Sequence, residues 1–234
     1  VQEPLMQPNG DVEEVFCYAG NAWRGQLRDL SAAYMLERLG NARVPLDTFH
    51  LLFSGGKIGG AQVVDIPAAM RLREAVPHIA IFGGGIGNQI LAGKLRVGNC
   101  YPICREAAVA IPERLRGEQS YRNMTFEKSF SRKDDARDGG KQTFLPAPEV
   151  ALIESGSQPK NDGPADQMRM TVELVIAGVE LYTEIDVLDA TEIELGCLTA
   201  ALHAFSRSPH IGGQANKGHG KASLAYEMLD LDSG

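Results

Sequence analysis

A glycine-rich, basic stretch near the end of the chain constrains the fold most, because few secondary structures accommodate it. Its sequence, over residues 208–229, is SPHIGGQANKGHGKASLAYEML. Glycine permits positive φ and close approach of the backbone, so the centre of this stretch is predicted to be a loop. TEIELGCLTAALHAFSRS, before it, has a helical pattern, and KASLAYEML, at its end, predicts a strand. We therefore expect a helix, a loop and a closing strand in that order.

The rest of the chain mixes helical and strand patterns without a regular repeat. NAWRGQLRDLSAAYMLERLG predicts a helix with Asn21 as its N-cap and Gly40 at its end. Four residues of this helix are spaced for one buried stripe, namely Trp23, Leu27, Leu30 and Tyr34. Residues 1–15 show no clear period and are predicted to be loop, whereas QMRMTVELVIAG and ELYTEIDVL predict two strands. A capping-box pattern, Thr191 followed by Glu194, marks the start of the last helix. The order indicates an α+β fold in one domain spanning residues 1–234.

Two insertions of functional size interrupt this pattern. Residues 114–145 are polar and charged around SRKDDARDGGKQ, where Gly139–Gly140 is a plausible turn, so an extended hairpin is predicted at about 120–146. SGSQPKNDGPAD, over residues 155–166, has the composition of a flexible loop.

The charge of the chain is unevenly distributed. A net charge of −7 argues on its own against nucleic-acid binding. However, residues 75–105 and 195–226 contain no Asp or Glu, while acidic residues concentrate elsewhere, at Glu173, Glu180, Glu184, Asp186, Asp189, Glu192 and Glu194. The pattern indicates either two ordinary solvated loops or two basic, glycine-rich surfaces for a polyanion, with an acidic side behind them.

Metal, cofactor and membrane classes are not indicated. The four cysteines do not have zinc-site spacing, so buried thiols in a reducing cytoplasm are expected, with no metal and no cofactor. Neither glycine-lysine stretch has the spacing of a P-loop, and GGGIGNQI lacks the third glycine of the dinucleotide fingerprint. No apolar run is long enough to span a membrane.

Catalytic patterns are also missing, whereas features suited to RNA are present. The five histidines form no metal motif, no nucleophile elbow occurs, and no catalytic residue is predicted. Arg24 and Arg28 lie one turn apart at a predicted helix start, where an anion is favoured. In the last loop, glycine backbone together with Lys217, His219 and Lys221 fits binding of an extended single strand.

Three stretches together resemble the RAMP superfamily, the RNA-binding subunits of CRISPR effector complexes. YAGNAWRGQLRD, over residues 18–29, is similar to the motif I-P-G-S-S-L-K-G-x-L-R, with Ala19 at its proline and Asn21-Ala22 at its serine pair. IFGGG followed by GKLRVGNCYPI resembles the family's L-F-G segment and the next strand, and HIGGQANKGHGKASLAYEML resembles its C-terminal glycine-rich loop. The resemblance covers most of residues 16–229 and is closest to the type IV backbone subunit.

The resemblance implies a modified RRM-like (ferredoxin-like) core with the shape of a right hand. Copies would stack head to tail into a helical filament along a CRISPR guide RNA, and the hairpin at about 120–146 would be a thumb that kinks the guide. The family's first strand is not recognisable in residues 1–15, so we expect the N-terminus to be incomplete.

The resemblance also implies where RNA would bind. Asn21, Arg24 and Arg28 would contact guide phosphates at the helix start. The C-terminal loop would line the same groove with Gly212, Gly213, Lys217, His219 and Lys221. On the thumb, the contacts would come from Arg132 and Lys133. Contacts to phosphate and sugar allow any guide sequence, while base pairing reads the target.

The implied partners are guide RNA, target DNA or RNA paired to it, other copies of the chain and other CRISPR effector subunits, in the cytoplasm and without a membrane. Type IV resemblance suggests DNA interference through a recruited helicase, with no nuclease in this chain. Three enzymes remain as alternatives: a target RNase of the type III kind using Asp11, a repeat-processing endoribonuclease, and an unrelated small-molecule enzyme with glycine loops.

Overall fold

The computed structural model describes residues 1–57, 65–132, 146–148, 151 and 168–229. The chain divides into two compact units. The main unit comprises Val1–Glu118 and Glu180–Gly234, and the ribbon unit comprises Gln119–Val179. The ribbon unit begins where the sequence predicts the thumb insertion. The predicted single domain with an inserted thumb stays a prediction.

Helices and strands alternate irregularly, which confirms the predicted α+β class. The α-helices of the described residues are α1 (Gly20–Arg38), α2 (Leu46–Ser54), α3 (Ile66–Ala75), α4 (Pro77–Phe82) and α5 (Glu192–Phe205). The strands are β1 (Gln2–Met6), β2 (Val12–Phe16), β3 (Gly84–Ile86), β4 (Gln89–Leu91), β5 (Leu95–Val97), β6 (Tyr101–Pro102), β7 (Thr125–Arg132), β8 (Met168–Val175), β9 (Leu181–Tyr182) and β10 (Ile185–Val187). They form antiparallel pairs, namely β1–β2, β3–β4, β5–β10, β6–β9 and β7–β8.

The N-terminus forms a hairpin, so the prediction of a loop over residues 1–15 is wrong. β1 pairs with β2 from Gln2↔Phe16 to Met6↔Val12, around a turn that includes Gly10 at φ +91°. The N–H of Cys17 donates to the carbonyl of Val1, so Val1 and Cys17 are a hydrogen-bonded pair. Because such pairs occur at every second residue of an antiparallel strand, the backbone of Pro4 points away from β2. Proline has no N–H to donate, so it suits the outer edge of a sheet. Few apolar residues alternate in these two strands, so the period was not visible in the sequence.

Helix α1 packs against the sheet at its first residue. Its N-cap is Ala19, without a side-chain cap, so the prediction of Asn21 as N-cap is wrong. Instead the N–H of Gly20 donates to Oδ1 of Asn99 at 2.8 Å. A Cβ at Gly20 would lie 2.4 Å from the carbonyl oxygen of Val97, so only glycine fits this close contact.

The core of the main unit lies between α1, α4, α5 and β5. Trp23 and Leu27 of α1 are buried, as their spacing predicted, and Trp23 packs edge-on against Phe205 with ring centroids 4.9 Å apart. The remaining buried members of this cluster are Ile81, Phe82, Leu95, Cys100, Leu198 and Ala201. Burial of each large apolar side chain contributes about 1.5–3 kcal/mol, so this cluster fixes the three helices relative to the strand.

The capping box predicted at α5 is confirmed. The Thr191 N–H donates to Oε2 of Glu194 at 2.7 Å, and the Glu194 N–H donates to the Thr191 hydroxyl at 3.4 Å. Lys94 forms an ion pair with the same carboxylate at 2.7 Å. Burial raises the pKa of Glu194, but the hydrogen bonds from Lys94 and Thr191 outweigh it and hold that pKa below its ordinary value. Glu194 is buried in the main unit, so it does not belong to the acidic surface that the charge pattern indicated.

A polar chain joins α1, α2, α4 and α5 inside the main unit. Nε2 of His78 lies 2.9 Å from the carbonyl oxygen of Leu52, so it carries the ring proton and donates it. Nδ1 therefore accepts from the hydroxyl of Ser31 at 2.9 Å, and Ser31 lies 3.2 Å from Sγ of Cys197. Both His78 and Ser31 are buried. Each buried polar group of this chain thus has a hydrogen-bond partner, which requires His78 to be neutral.

The C-terminal segment, defined as Ser223–Leu229, differs from the prediction of a closing strand. An isolated antiparallel bridge joins Lys221 to His210, and residues 222–229 continue without strand pairing. The alternation of apolar residues that predicted a strand is present, but no described strand lies beside it.

The ribbon unit contains a long antiparallel pair. β7 pairs with β8 over eight residues, from Thr125↔Val175 to Arg132↔Met168. The sequence predicted a hairpin turning at Gly139–Gly140, whereas the partner strand comes from Met168–Val175. The predicted turn, Lys133 and the predicted flexible loop at about 155–166 lie outside the described residues.

Three of the cysteines, Cys17, Cys100 and Cys104, are buried as predicted, and Cys197 is half-buried. Within the described residues, His, Cys, Asp and Glu side chains form no group able to hold a metal ion. No helix of the described part of the chain is long and apolar enough to cross a membrane.

The neutral state required of His78 predicts an acid-sensitive fold. Burial lowers the pKa of His78 from 6.5 to about 4. Because the folded pKa is depressed, the contribution to stability is complete above pH 6.5 and is lost as the pH falls toward 4. At about 1.4 kcal/mol per pH unit, roughly 3 kcal/mol is at stake. We expect urea midpoints to fall between pH 7 and pH 4.5, and to fall less for His78→Gln. His203→Gln, at an exposed site, is the control; an identical pH profile for all three proteins would contradict the prediction.

Candidate nucleic-acid interface

Two arginines of α1 converge on one backbone carbonyl at the end of α4. Nη2 of Arg24 donates to the carbonyl oxygen of Phe82 at 2.5 Å, and Nη2 of Arg28 donates to the same oxygen. Nη2 of Arg28 also lies 3.4 Å from the carbonyl oxygen of Gly83. These carbonyls end a helix, where positive charge is favoured. The structure therefore brings together the two arginines that the sequence singled out.

The two positive charges are incompletely compensated. Both side chains are half-buried, and no carboxylate lies within ion-pair distance of either among the described residues. Nε of Arg28 is buried and has no hydrogen-bond partner there. Burial lowers the pKa of both guanidinium groups, and the charge of Arg24 lowers that of Arg28 further. Such an arrangement favours a bound anion, which would accept hydrogen bonds from the remaining N–H groups.

Glycine gives Arg28 the space to reach this position. Gly55 ends α2 at φ +77°, and a Cβ there would lie 2.7 Å from Nη1 of Arg28. Gly56 follows at φ +83°, and a Cβ there would lie 2.1 Å from the carbonyl oxygen of Gly85. Gly55 therefore packs its backbone against Arg28, while Gly56 packs against Gly85.

The start of α1 lies one turn from Arg24 and offers further donors. Asn21 is exposed in the first turn, no acidic residue lies there, and no side chain caps the helix from within. Positive partial charge at a helix start attracts anions, and here nothing from the helix itself neutralises it.

The C-terminal glycine loop has a defined backbone. The Ile211 N–H donates to the carbonyl of Gly220 at 2.8 Å, and a 3-10 turn spans Ala215–Lys217. Gly212, Gly218 and Gly220 have positive φ. Lys217 and Lys221 are exposed, His219 is half-buried, and Gly213 is exposed beside Gly212. The loop thus presents two lysines and exposed glycine backbone to solvent.

The loop and the arginine pair meet α1 on different flanks. Nε2 of Gln26 donates to the carbonyl of His210 at 2.6 Å, and the Tyr18 hydroxyl lies 3.3 Å from Oε1 of Gln26. Gln26 lies two residues from each arginine, about 200° around the helix. The described contacts therefore connect both groups to α1 without bringing them into one hydrogen-bonded cluster.

The thumb residues are placed only in part. Arg132 is the last residue of β7 and pairs with Met168 across the ribbon, and Lys133 lies outside the described residues. Their predicted contacts with RNA stay predictions, as do the roles of the other predicted RNA-binding residues.

Sequence reasoning missed three residues that shape the interface. Asn99 holds the start of α1, Gln26 holds the glycine loop, and Gly55 makes room for Arg28. Gln26 occupies the variable position of the motif around Arg24, so its residue type carried no signal. The glycines of FSGG were visible in the sequence, but their neighbour in space was not.

Asp11, the residue of the alternative nuclease prediction, lies in the turn of the N-terminal hairpin. Its carboxylate accepts from Nδ2 of Asn9 at 2.7 Å, and its N–H donates to Oδ1 of Asn9 at 3.1 Å. The side chain is exposed, and the described residues place no metal-binding group around it.

No protein-family model matches the sequence, and no curated protein matches it. Among solved structures, a chain of the "Type IV-B CRISPR Complex" is similar over 98% of this chain and 86% of its own length, with a TM-score of 0.62 and 22% identity. This protein has the fold of that chain. The likeness confirms the predicted resemblance to a type IV CRISPR subunit at the level of the fold.

The fit between Gly55 and Arg28 predicts an unequal response of two glycines. Gly55 and Gly40 both have φ +77°, but a Cβ at Gly40 meets nothing within 4 Å. Gly40→Ala should cost about 1 kcal/mol from backbone strain alone. Gly55→Ala should cost roughly 1 kcal/mol more by urea unfolding, because the new methyl displaces the guanidinium from Phe82. The excess should vanish in an Arg28→Ala background; equal losses for both glycines would show that Arg28 is not held there.

Proposed function

We propose that this protein is a guide-RNA-binding backbone subunit of a type IV CRISPR effector complex, built on a modified RRM-like core. The observation that carries the proposal is the pair Arg24 and Arg28, half-buried on the carbonyl of Phe82, with no carboxylate of the described residues within ion-pair distance. The fold shared with a chain of a type IV-B CRISPR complex supports the choice of complex.

The ligand of the arginine pair is an anion with several acceptor oxygens. Two guanidinium groups present ten N–H donors in planar forks, which match phosphate better than a single carboxylate. The Phe82 carbonyl engages one terminal nitrogen of each side chain and leaves the other terminal nitrogen available.

Recognition is of the backbone and not of the bases. Lysines on the exposed glycine loop supply point charges, which suit phosphates in many local geometries. Asn21, Gly212, Gly213 and His219 would add hydrogen bonds from side chain and backbone. Contacts to phosphate and sugar fit a subunit that accepts any guide and leaves the bases for pairing.

The partners follow from this role. Several copies bind one guide head to tail, other effector subunits complete the complex in the cytoplasm, and target DNA or RNA joins by pairing. Head-to-tail contact between copies is a heterologous interface, which extends along the RNA until the guide ends. Arg132 and Lys133 on the thumb would touch the guide between neighbouring copies.

Loss of an arginine should weaken guide binding for every sequence. Arg24→Ala and Arg28→Ala should each reduce affinity about tenfold, because a charge-assisted hydrogen bond is lost. The slope of log affinity against log salt should flatten by about 0.7 per lost phosphate contact. Fluorescence anisotropy with two unrelated labelled RNAs measures both quantities. Arg38→Ala, at the exposed end of the same helix, is the matched control.

An unchanged salt slope in both variants, with the fold intact by circular dichroism, would remove the arginine pair from the interface. Sequence-dependent losses would instead indicate that bases are read.

The subunit is proposed to be non-catalytic. Asp11 is exposed in a turn, with Asn9 as its hydrogen-bond partner. RNA complementary to a bound guide should stay intact with Mg²⁺ or Mn²⁺ over hours. Metal-dependent cleavage that disappears in Asp11→Asn would overturn this part of the proposal and favour a target RNase.

A further inference from the structure

The C-terminal segment, Ser223–Leu229, lies outside every described helix and strand. Among the described residues, none exchanges a backbone hydrogen bond with it. All seven of its residues are exposed. Exposed peptide groups in a chain with strand-like sequence form a template for pairing with another strand.

Side chains nevertheless fix the segment against its own main unit. The Tyr226 hydroxyl accepts from Nε1 of Trp23 at 3.2 Å, and Glu227 lies 3.9 Å from Arg114. Leu224, Met228 and Leu229 are 36%, 82% and 60% exposed. The segment is therefore held at its middle while its backbone and most of its apolar side chains face solvent. A segment that is already held in place loses less entropy when it pairs than a free segment does.

The ribbon β7–β8 has the length to pair with seven residues. Its strands have eight residues each, whereas those of the other described sheets have five or fewer. The outer edge of β1 carries Pro4, which cannot donate to a new strand. Within the described part of the chain, the ribbon is thus the sheet that accommodates the whole segment.

The chemistry of the ribbon also matches the segment. Side chains alternate between faces along a strand, so Phe126, Lys128, Met170 and Leu174 belong to one face. Phe126 and Met170 are 41% and 39% exposed, which suits contact with apolar residues such as Leu224 and Met228.

We infer that the C-terminal segment of one copy adds as a strand to an edge of the β7–β8 ribbon of a second copy. The contact joins different surfaces on the two copies, so it propagates from copy to copy. The inference rests on the proposed function, which requires neighbouring copies, and it names the surfaces through which they meet.

Disulfide trapping tests the contact directly. One protein carries Ala225→Cys and a second carries either Ser129→Cys on β7 or Thr171→Cys on β8. Mixing two single variants under mild oxidation, with a long RNA present, permits a bond only between copies. A disulfide dimer with one ribbon variant supports the inference and identifies the edge. Gly25→Cys, exposed on α1, replaces the ribbon cysteine as the control for random collision. Trapping no better than this control at both ribbon positions would overturn the inference.

Proline substitutions supply a second test that does not need a cysteine. Successive N–H groups of a strand point in opposite directions, so either Leu224→Pro or Ala225→Pro removes a donor from the new pairing. One of them should raise the protein concentration needed for assembly on a long RNA by about tenfold, measured by mass photometry. Ala225→Val keeps the donor and should assemble like the wild type. Assembly unaffected by both prolines would contradict strand addition.

Binding to a short RNA separates this inference from the proposed function. An oligonucleotide of about eight nucleotides suits a single copy, so neighbours are not needed. The proline variants should bind it with unchanged affinity, while Arg24→Ala should not. If the wild type binds neither RNA but the disulfide still forms, the contact between copies stands and guide binding fails. If the short RNA binds and no disulfide forms, only the strand addition fails.

Discussion

The carbonyl oxygen of Phe82 organises the main unit around the candidate interface. It accepts from both Arg24 and Arg28, so it ties the last turn of α4 to two successive turns of α1. The same pair of helices is joined again by His78, four residues earlier in α4, and Ser31, one turn further along α1. Two polar attachments one turn apart fix the helices in both translation and rotation, which apolar packing alone specifies less strictly.

This arrangement fixes the two guanidinium groups in position but leaves their positive charges poorly compensated. A neutral carbonyl compensates two guanidinium groups poorly, and a core without the arginines would bury less charge. The apolar cluster around Trp23 and Phe205 supplies the stability that tolerates it. Local departures from the most stable choice are typical of functional sites, where a ligand completes the set of interactions. At the arginine pair, the N–H groups that make no hydrogen bond among the described residues are the ones that a ligand would complete.

Residue spacing predicted the parts of the fold that depend on local interactions. The buried stripe of α1, the capping box of α5 and the α+β class all follow from periodicity and short-range chemistry. The N-terminal hairpin was missed because polar and apolar residues do not alternate strictly in its strands, QEPLM and VEEVF. The partner of β7 was missed because it lies 36 residues beyond Arg132 in the sequence. The closing strand was predicted from alternation alone, but a strand also needs a neighbour.

At the interface, the motif identified the arginines but not what holds them. Their receptor is a carbonyl group, which every residue has, so its residue type carries no signal. Gly55 and Asn99 act through contacts between distant parts of the chain, at 27 and 79 residues from their partners Arg28 and Gly20. Such residues become recognisable only after the helices have been placed in space.

Pro4 would matter most in the proposed assembly, where several copies lie on one RNA. Copies held there would experience a very high local concentration, and every open sheet edge would become a competing site for mispairing. Without an N–H on its outer side at Pro4, β1 is a poor template for such errors. A single imino acid in the first strand would thus leave each copy fewer ways to attach wrongly to the next.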